Sequence, residues 1–310
     1  MTLQERLSVG LFVAAVGVVY YLEGRLILAW AIARARRREG APRMLRAQAI
    51  VLHALAAGGL LCLAYGHLIE PYRMEVKRVP ISTGKLRAAR IRIVQISDLH
   101  CDRKAGNEER LVETVKALRP DVIVFTGDAA NRPGAVSRFR DAMRELEAPL
   151  GKFAVRGNFD LRLGQDLFDG TGFRELEGET VRIEAQGDTF CLTGLTCARD
   201  DCTDLLGRVP EDGYSIFVYH YPDIAEEAAQ AGADLYLCGH THGGQVALPL
   251  YGALVTLSRH GKKYERGLYT VGDMLMYVNH GIGMEPAPAP RVRFLSRPEV
   301  TVFDIAPGTR

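Results

Sequence analysis

The sequence predicts an α/β domain preceded by a hairpin of two membrane-crossing helices, and three observations lead there. Apolar residues crowd the chain before about residue 70, and the first aspartate of the 310 residues is Asp98. Beyond Pro71, short β-rich runs alternate with helical stretches. Several of those runs end in Asp, His or Asn. Residues 1–70 are therefore expected to form the transmembrane hairpin with an Arg-rich connecting loop, and residues 71–310 the α/β domain. Composition is ordinary for a globular protein, 47% hydrophobic and 25% charged, which excludes a disordered chain. The balance of 39 Lys and Arg against 37 Asp and Glu gives a net charge of +2, so no nucleic-acid partner is expected.

The first span opens with the uncharged run Leu7 to Leu22, is interrupted by Glu23 and Arg25, and resumes from Leu26 to Ala33. Glu23 and Arg25 lie two residues apart, on different faces of a helix, so they do not pair with each other. Both are costly in lipid unless they sit near its edge or find a partner elsewhere in the bundle. The lipid-embedded part is accordingly expected to end near Leu22, with Leu26–Ala33 and Trp30 at the interface. A cleaved signal peptide fits poorly, because the run is too long and arginines stand where cleavage would occur. The second span, Ala47 to Ile69, carries no formal charge and reaches about 34 Å, enough for a hydrocarbon core of about 30 Å.

Between the spans lie Arg34, Arg36, Arg37, Arg38, Arg43 and Arg46 against the single acid Glu39. Positive charge favours the cytoplasmic side, so a multi-pass inner-membrane protein with its second domain extracytoplasmic is expected. Arg73, Lys77 and Arg78, just after the second span, argue the other way. Cys197 and Cys202 could form a loop disulfide in an extracytoplasmic domain. Cys101 and Cys238 read as packing thiols, and with no CxxC pair a structural zinc site is not supported.

In the second part, strands are expected at 91–97, 122–126, 152–156, 181–184, 190–194, 215–219, 235–238, 274–278 and 300–304. Helices are expected at 108–118, with Asn107 as N-cap, at 135–146 and at 223–231. The chemistry collects where strands end. Five apolar runs lead into Asp98 and His100 (ISDLH), Asp128 (FTGD), Asn158 (VRGN), His220 (VYH), and His240 with His242 (CGHTHGG). Ligands of open α/β sheets gather outside the carboxyl ends of strands, so these tips are expected to converge. Asp98 and His100, two apart on extended chain, fall on one face and could hold one metal ion, as could His240 and His242.

Taken in order, DLH (98–100), GD (127–128), GN (157–158), the isolated His220 and GHTH (239–242) resemble the signature of the calcineurin-like metallophosphoesterase superfamily. GHTHGGQ (239–245), YERGLY (264–269) and HGIG (280–283) look like its membrane-associated bacterial branch. The resemblance covers roughly residues 90–305 and implies an α/β/β/α sandwich of the metallophosphoesterase type. It implies that Asp98, His100 and His242 hold one divalent ion, that Asn158, His220 and His240 hold a second, and that Asp128 bridges both. Among these it marks Asp128, Asn158 and His240 as catalytic. Mixed carboxylate and imidazole ligands suit Mn²⁺, Fe or Zn²⁺ rather than Ca²⁺. A hydroxide between the two ions would attack phosphorus in line.

One position departs from the family. Its third motif ordinarily places His after the Asn, near the leaving group, where this chain has Phe159, which can neither donate a proton nor bind an oxyanion. Either the substrate's leaving group needs little protonation, as in a pyrophosphate, or another residue fills the role, or activity is reduced. Asp160 keeps the motif's acidic position and is expected to orient ligands from behind. Arg132, Arg156 and the basic stretch 259–263 are candidate phosphate or headgroup contacts, as is Asn131, while His260 and His280 read as structural. The function expected is a membrane-anchored phosphoesterase acting on a phosphodiester or pyrophosphate of a lipid or lipid-linked substrate. A UDP-diacylglucosamine-type pyrophosphatase of lipid A synthesis is the sharper alternative. A non-catalytic scaffold and a nuclease are the others, and no basic aromatic groove supports the last.

Overall fold

The computed structural model describes residues 1–36, 46–164, 166–196, 207, 209–210, 213–286 and 290–308. Arg37, Arg38, Glu39 and Arg43 of the connecting loop, and Cys197 with Cys202, lie outside the described residues.

Two helices lead the chain, α1 (Leu3–Ala35) and α2 (Arg46–Leu68), both long and apolar enough to cross a membrane. Helix α1 is 33 residues long and continues through Glu23 and Arg25. Glu23 has a partner on the neighbouring helix, as a charge within an apolar run requires. Glu23 Oε1 lies 2.7 Å from His53 Nδ1 of α2, and one turn away the Tyr20 hydroxyl donates to Ala56 O at 2.9 Å. Gly59 makes room for that contact, since a Cβ there would lie 2.5 Å from the Tyr20 oxygen.

At its N-terminus α1 carries a reciprocal cap. Thr2 Oγ1 accepts from Glu5 N, and Glu5 Oε2 accepts from Thr2 N. The other Glu5 oxygen accepts from Thr256 N and Oγ1 at 2.7 and 2.8 Å, so the helix is bolted to the part of the chain that follows.

That part is two stacked six-stranded sheets. The chain forms β1 (Glu75–Thr83), β2 (Ile91–Ile96), α3 (Glu108–Leu118), β3 (Val122–Phe125), α4 (Val136–Arg144), β4 (Lys152–Ala154) and β5 (Phe173–Glu175). It continues through β6 (Glu179–Ala185), β7 (Asp188–Leu195), β8 (Tyr214–Tyr219), α5 (Ala225–Gln230) and β9 (Leu235–Cys238). A short hairpin of β10 (Ala247–Leu248) and β11 (Gly252–Ala253) precedes β12 (Gly267–Val271), β13 (Met274–Val278) and β14 (Glu299–Pro307). One sheet has the order β1-β14-β2-β3-β4-β5 and the other β12-β13-β9-β8-β7-β6.

Strand alternation assigns the layers. Ile91, Ile93, Val122 and Val124 of one sheet pack against Ile216, Val218, Leu235 and Leu237 of the other. The opposite faces carry the helices. Val94, Ile96, Ile123 and Phe125 meet Leu111 and Val115 of α3 and Phe139 and Met143 of α4. Phe217, Tyr236 and Met276 meet Ala225 and Ala228 of α5. The layers are thus helix, sheet, sheet and helix. Both faces of the central strands are buried, which is why they read as unbroken apolar runs.

Five of the described strands escaped the sequence, among them the two-residue strands β10 and β11. β1 (EVKRVPIST) is an edge strand with exposed charged side chains, β5 has three residues, and β12 carries a glycine and alternates only weakly in burial. Asn107 occupies the N-cap position of α3 without capping it, because its amide donates to Pro71 O at 2.8 Å instead. Where a helix was expected from residue 135, a 3₁₀ turn over Pro133–Ala135 precedes α4. Cys101 and Cys238 are buried free thiols, and burial raises both well above the usual range.

At the far end of the sheets, the Asp188 carboxylate collects the backbone N–H groups of Arg87, Ala88 and Ala89 at 2.8–3.1 Å, tying the β1–β2 connection to β7. The Ala89 and Ala88 N–H groups hold its pKa below the usual carboxylate value. Its stabilisation is therefore present above about pH 4 and lost as pH falls through the lowered native value. Asp188→Asn is expected to lower the melting temperature by a few degrees at pH 7. The difference from wild type should vanish in melts taken at progressively lower pH, below the native value.

Candidate metal centre

Five strand ends meet at one edge of the stacked sheets. Asp98 and His100 follow β2, Asp128 follows β3, Asn158 follows β4, His220 follows β8, and His240 and His242 follow β9. The connections are strained there. Asp98, His100, Asp128, His240 and His242 all have positive φ, between 43° and 70°, in the region that side-chain-bearing residues avoid. Glycines next to them are obligatory for a spatial reason. A Cβ at Gly157 would lie 2.2 Å from Asp128 Oδ1, and one at Gly239 would lie 2.0 Å from Ser97 Oγ.

Six of the seven side chains arrive as two trios around a shared middle, with Asn158 beside the second. Asp98, His100 and His242 offer ligand atoms within 4.8 Å of one another, and so do Asp128, His220 and His240. His100 Nε2 lies 3.1 Å from His242 Nε2, and His242 Nε2 lies 3.3 Å from Asp98 Oδ1. In the second trio, His220 Nε2 is 3.3 Å from Asp128 Oδ2, 3.3 Å from His240 Nδ1 and 3.2 Å from Asn158 Oδ1. Asp128 Oδ2 stands between the trios, 3.6 Å from His100 Nε2.

These donors fit two cations. Asp98 Oδ1 is buried with no hydrogen-bond partner among the described residues, a desolvated anionic oxygen that a cation would satisfy. Against burial, the charge of the facing His242 holds the Asp98 carboxyl well below the usual range, and His220 does the same for Asp128. Burial lowers His100 and His240 to about 4, so both imidazoles are neutral at physiological pH, as ligands must be. His220 goes the other way. Burial would lower it, but the Asp128 charge carries it up to about 10.

Outer groups aim the ligands. His100 Nδ1 lies 2.8 Å from Asn131 Oδ1, and the Asn131 amide nitrogen donates to His100 O and Met284 O at 3.2 and 3.3 Å. His220 Nδ1 donates to Thr126 O at 2.8 Å, which turns Nε2 toward the centre. Asp160 accepts from the N–H groups of Asp128, Ala129 and Gly157 at 2.7–2.9 Å and so fixes the loop that presents Asp128. Phe159 sits at the mouth, its ring edge-on to His100 at 4.9 Å between centroids, while its N–H donates to Asp128 Oδ1 at 2.9 Å.

Two sequence candidates for phosphate contact have other work. Asn131 orients His100, and Arg156 is buried in an ion pair with Glu175, with Nε–Oε1 at 2.6 Å. Arg132 pairs with Asp102 at 3.1 Å. His260 Nε2 donates to Asp223 O at 3.1 Å, and Lys263 pairs with Glu226. His280 joins Glu75 and Glu299 in a third trio, but Lys77 and Arg297 already face Glu75 at 3.4 and 4.0 Å.

Sequence reasoning missed Arg293. It is fully buried, donates to Gly283 O, His280 O and Ser296 O, and places Nη2 3.2 Å from His242 Nδ1. Its own N–H donates to Gly66 O of α2 at 2.8 Å, so one residue joins the second candidate span to the centre. Standing alone in a proline-bordered loop, Arg293 offered no motif.

Residues 91–244 match the family described as calcineurin-like phosphoesterase. The chain is 33% identical over 272 residues to the uncharacterized metallophosphoesterase YkuE of Bacillus subtilis, an alignment covering 81% of this chain and 93% of that one. It is 28% identical to the phosphodiesterase YaeI of Escherichia coli, over 78% of this chain and 92% of the relative. It is 25% identical to the UDP-2,3-diacylglucosamine pyrophosphatase LpxG of Chlamydia muridarum, over 82% and 96%.

Proposed function

This chain belongs to the calcineurin-like phosphoesterase family of metal-dependent phosphoester hydrolases, and we propose that it is a membrane-anchored, two-metal enzyme that cleaves a phosphodiester or pyrophosphate of a lipid-linked substrate. The observation that carries this reading is the path Gly66–Arg293–His242, which joins a candidate membrane span to the metal centre through one buried side chain. Residues 1–70 form the anchor and residues 71–310 the catalytic domain.

Asp98, His100 and His242 would hold one ion and Asn158, His220 and His240 the other, with Asp128 between them; Mn²⁺, Fe or Zn²⁺ suits these donors. Two such ions supply Lewis acidity toward phosphoryl oxygens and a nucleophilic water at neutral pH. The protein does the rest. Asp160 holds the Asp128 loop, Asn131 and Thr126 fix the rings of His100 and His220, and the buried carboxylates keep their charge because the imidazoles face them.

Phe159 narrows the substrate. Its ring donates no proton to a departing alkoxide, so a leaving group stable as an anion, such as a nucleoside monophosphate, is favoured. The likeness to LpxG points the same way and supports a UDP-diacylglucosamine-type pyrophosphatase as the second reading. That reading requires a cytoplasmic catalytic domain. The arginines between the spans favour an inner-membrane, multi-pass protein with the domain outside, which suits a lipid phosphodiester instead. A reporter fused after Arg310 decides the side.

Incubating the Mn²⁺-loaded full chain with a membrane-lipid extract and identifying new phosphorus-containing products tests the function. Release of none, with soluble diesters cleaved freely, would refute the lipid-linked substrate. Phe159→His is expected to speed cleavage of an alkyl phosphodiester by about 10²-fold, the lower end of what a positioned general acid contributes. Pyrophosphate cleavage should stay nearly constant, and equal effects on both would sink the leaving-group explanation.

A further inference from the structure

Three leucines are displayed to solvent in a backbone conformation that leucine ordinarily avoids. Leu250, Leu257 and Leu295 have φ of +64°, +60° and +54°. All three are exposed, Leu250 completely. A branched side chain in the left-handed region crowds its own backbone, and burial compensates none of the three.

All three stand where the two candidate spans join the sheets. On α1, Arg6 is exposed and the uncharged run starts at Leu7, so the edge of the hydrocarbon falls between them. The Tyr251 hydroxyl hydrogen-bonds Ser8 Oγ, just inside that edge, and Leu250 precedes it at the tip between β10 and β11. Leu257 follows Thr256, whose N–H and hydroxyl hold Glu5. On α2, Phe294 packs edge-on against Tyr65 with 6.3 Å between ring centroids, and Arg293 N donates to Gly66 O. Both contacts precede Ile69, where the uncharged run ends, so Leu295 lies beside the last turns of the span.

Cations accompany the leucines. Arg259 and Lys263 are exposed on the loop whose Gly261 would place a Cβ 3.3 Å from Thr2, and Arg291 lies beside His67. Each has an acidic neighbour on the domain side, Asp223, Glu226 and Asp102 respectively. Lys262 sits 4.1 Å from the centre of the Tyr251 ring. Exposed leucines with tyrosine below a rim of Lys and Arg is the composition that lies in a bilayer interface.

We propose that Leu250, Leu257 and Leu295, with Tyr251 and Phe294, seat the catalytic domain in the lipid leaflet that α1 and α2 cross, the bilayer itself being the partner. The inference rests on reading α1 and α2 as spans, and it fixes how the domain stands on the membrane rather than what it hydrolyses. Because Phe294 adjoins Arg293, the seat is one residue removed from the side chain that touches His242.

The test uses the full chain in vesicles of phosphatidylcholine and phosphatidylglycerol, with and without brominated acyl chains. Trp30 is the only native tryptophan. In a Trp30→Phe background, Leu250→Trp and Leu295→Trp should each emit to the blue of a solvent-exposed indole and lose most of that emission in brominated vesicles. Glu184→Trp, on β6 near the far end of the sheets, should be unaffected. If both leucine-site variants behave like Glu184→Trp while wild-type Trp30 is quenched, the leucines face water, a second copy or a soluble protein, and the proposal is overturned. An unquenched Trp30 overturns it together with the spans. Should Leu250→Trp fail to fold, Leu295→Trp decides alone, and no outcome depends on the substrate.

Discussion

Asp128→Ala is expected to abolish hydrolysis of bis(p-nitrophenyl) phosphate by the Mn²⁺-loaded chain, a loss on the order of 10³-fold or more. Removing one transition-state hydrogen-bond donor elsewhere costs about 10²–10³, and Asp128 serves more than one partner. Its Oδ2 faces His220 and His100 from opposite trios, and its Oδ1 accepts from Phe159 N. With that carboxylate gone, both trios lose the anionic oxygen that would hold and neutralise the cations, and His220 loses the largest charge raising its pKa. Elemental analysis of the purified variant should therefore show metal content falling along with turnover. Full metal content with no turnover would mean that Asp128 acts on substrate rather than on the ions. Retention of both would remove it from the centre altogether.

The second large effect is expected at Arg293. Arg293→Met keeps much of the stem volume and strips the guanidinium from a fully buried position, leaving the carbonyls of His280, Gly283 and Ser296 without donors. Burial lowers the guanidinium to about 10, with Asp98, Glu70 and Glu299 opposing, so it is still charged at physiological pH. Removing one member of such a buried charged network typically costs about 3–5 kcal/mol. Denaturant unfolding in detergent would read this as a lowered midpoint with an unchanged slope. Activity should fall further than the folded fraction does, because His242 loses its neighbour. A variant of wild-type stability would show that the carbonyls find other donors.

Much of this was legible in the sequence because it depends on local pattern. The parallel strands announced themselves as VIVF and IRIV since both their faces are buried, and the strand tips carried DLH, GD, GN and GHTH because the fold delivers chain ends to one edge. What escaped depends on distance in sequence. β1 has charged side chains along its open edge and is a strand only because β14, more than 200 residues later, lies beside it. Glu23 had no partner on its own helix, and the one it meets, His53, sits on another. Asn131 and Arg156 looked free to meet phosphate until His100 and Glu175 were placed against them. No period or motif encodes such pairings, which belong to the folded chain alone.

The order β1-β14-β2 has a consequence for synthesis. The late residues 299–307 slot between two strands that emerge from the ribosome early, and they pair in parallel with the very strand that follows the two leading helices. While translation proceeds, the two leading helices can already be in the bilayer, yet the sheet beside them keeps an open gap with unpaired strand edges on both sides. A message truncated before codon 299 would therefore leave the membrane loaded with a half-zipped, sticky product, a natural target for membrane quality-control proteases.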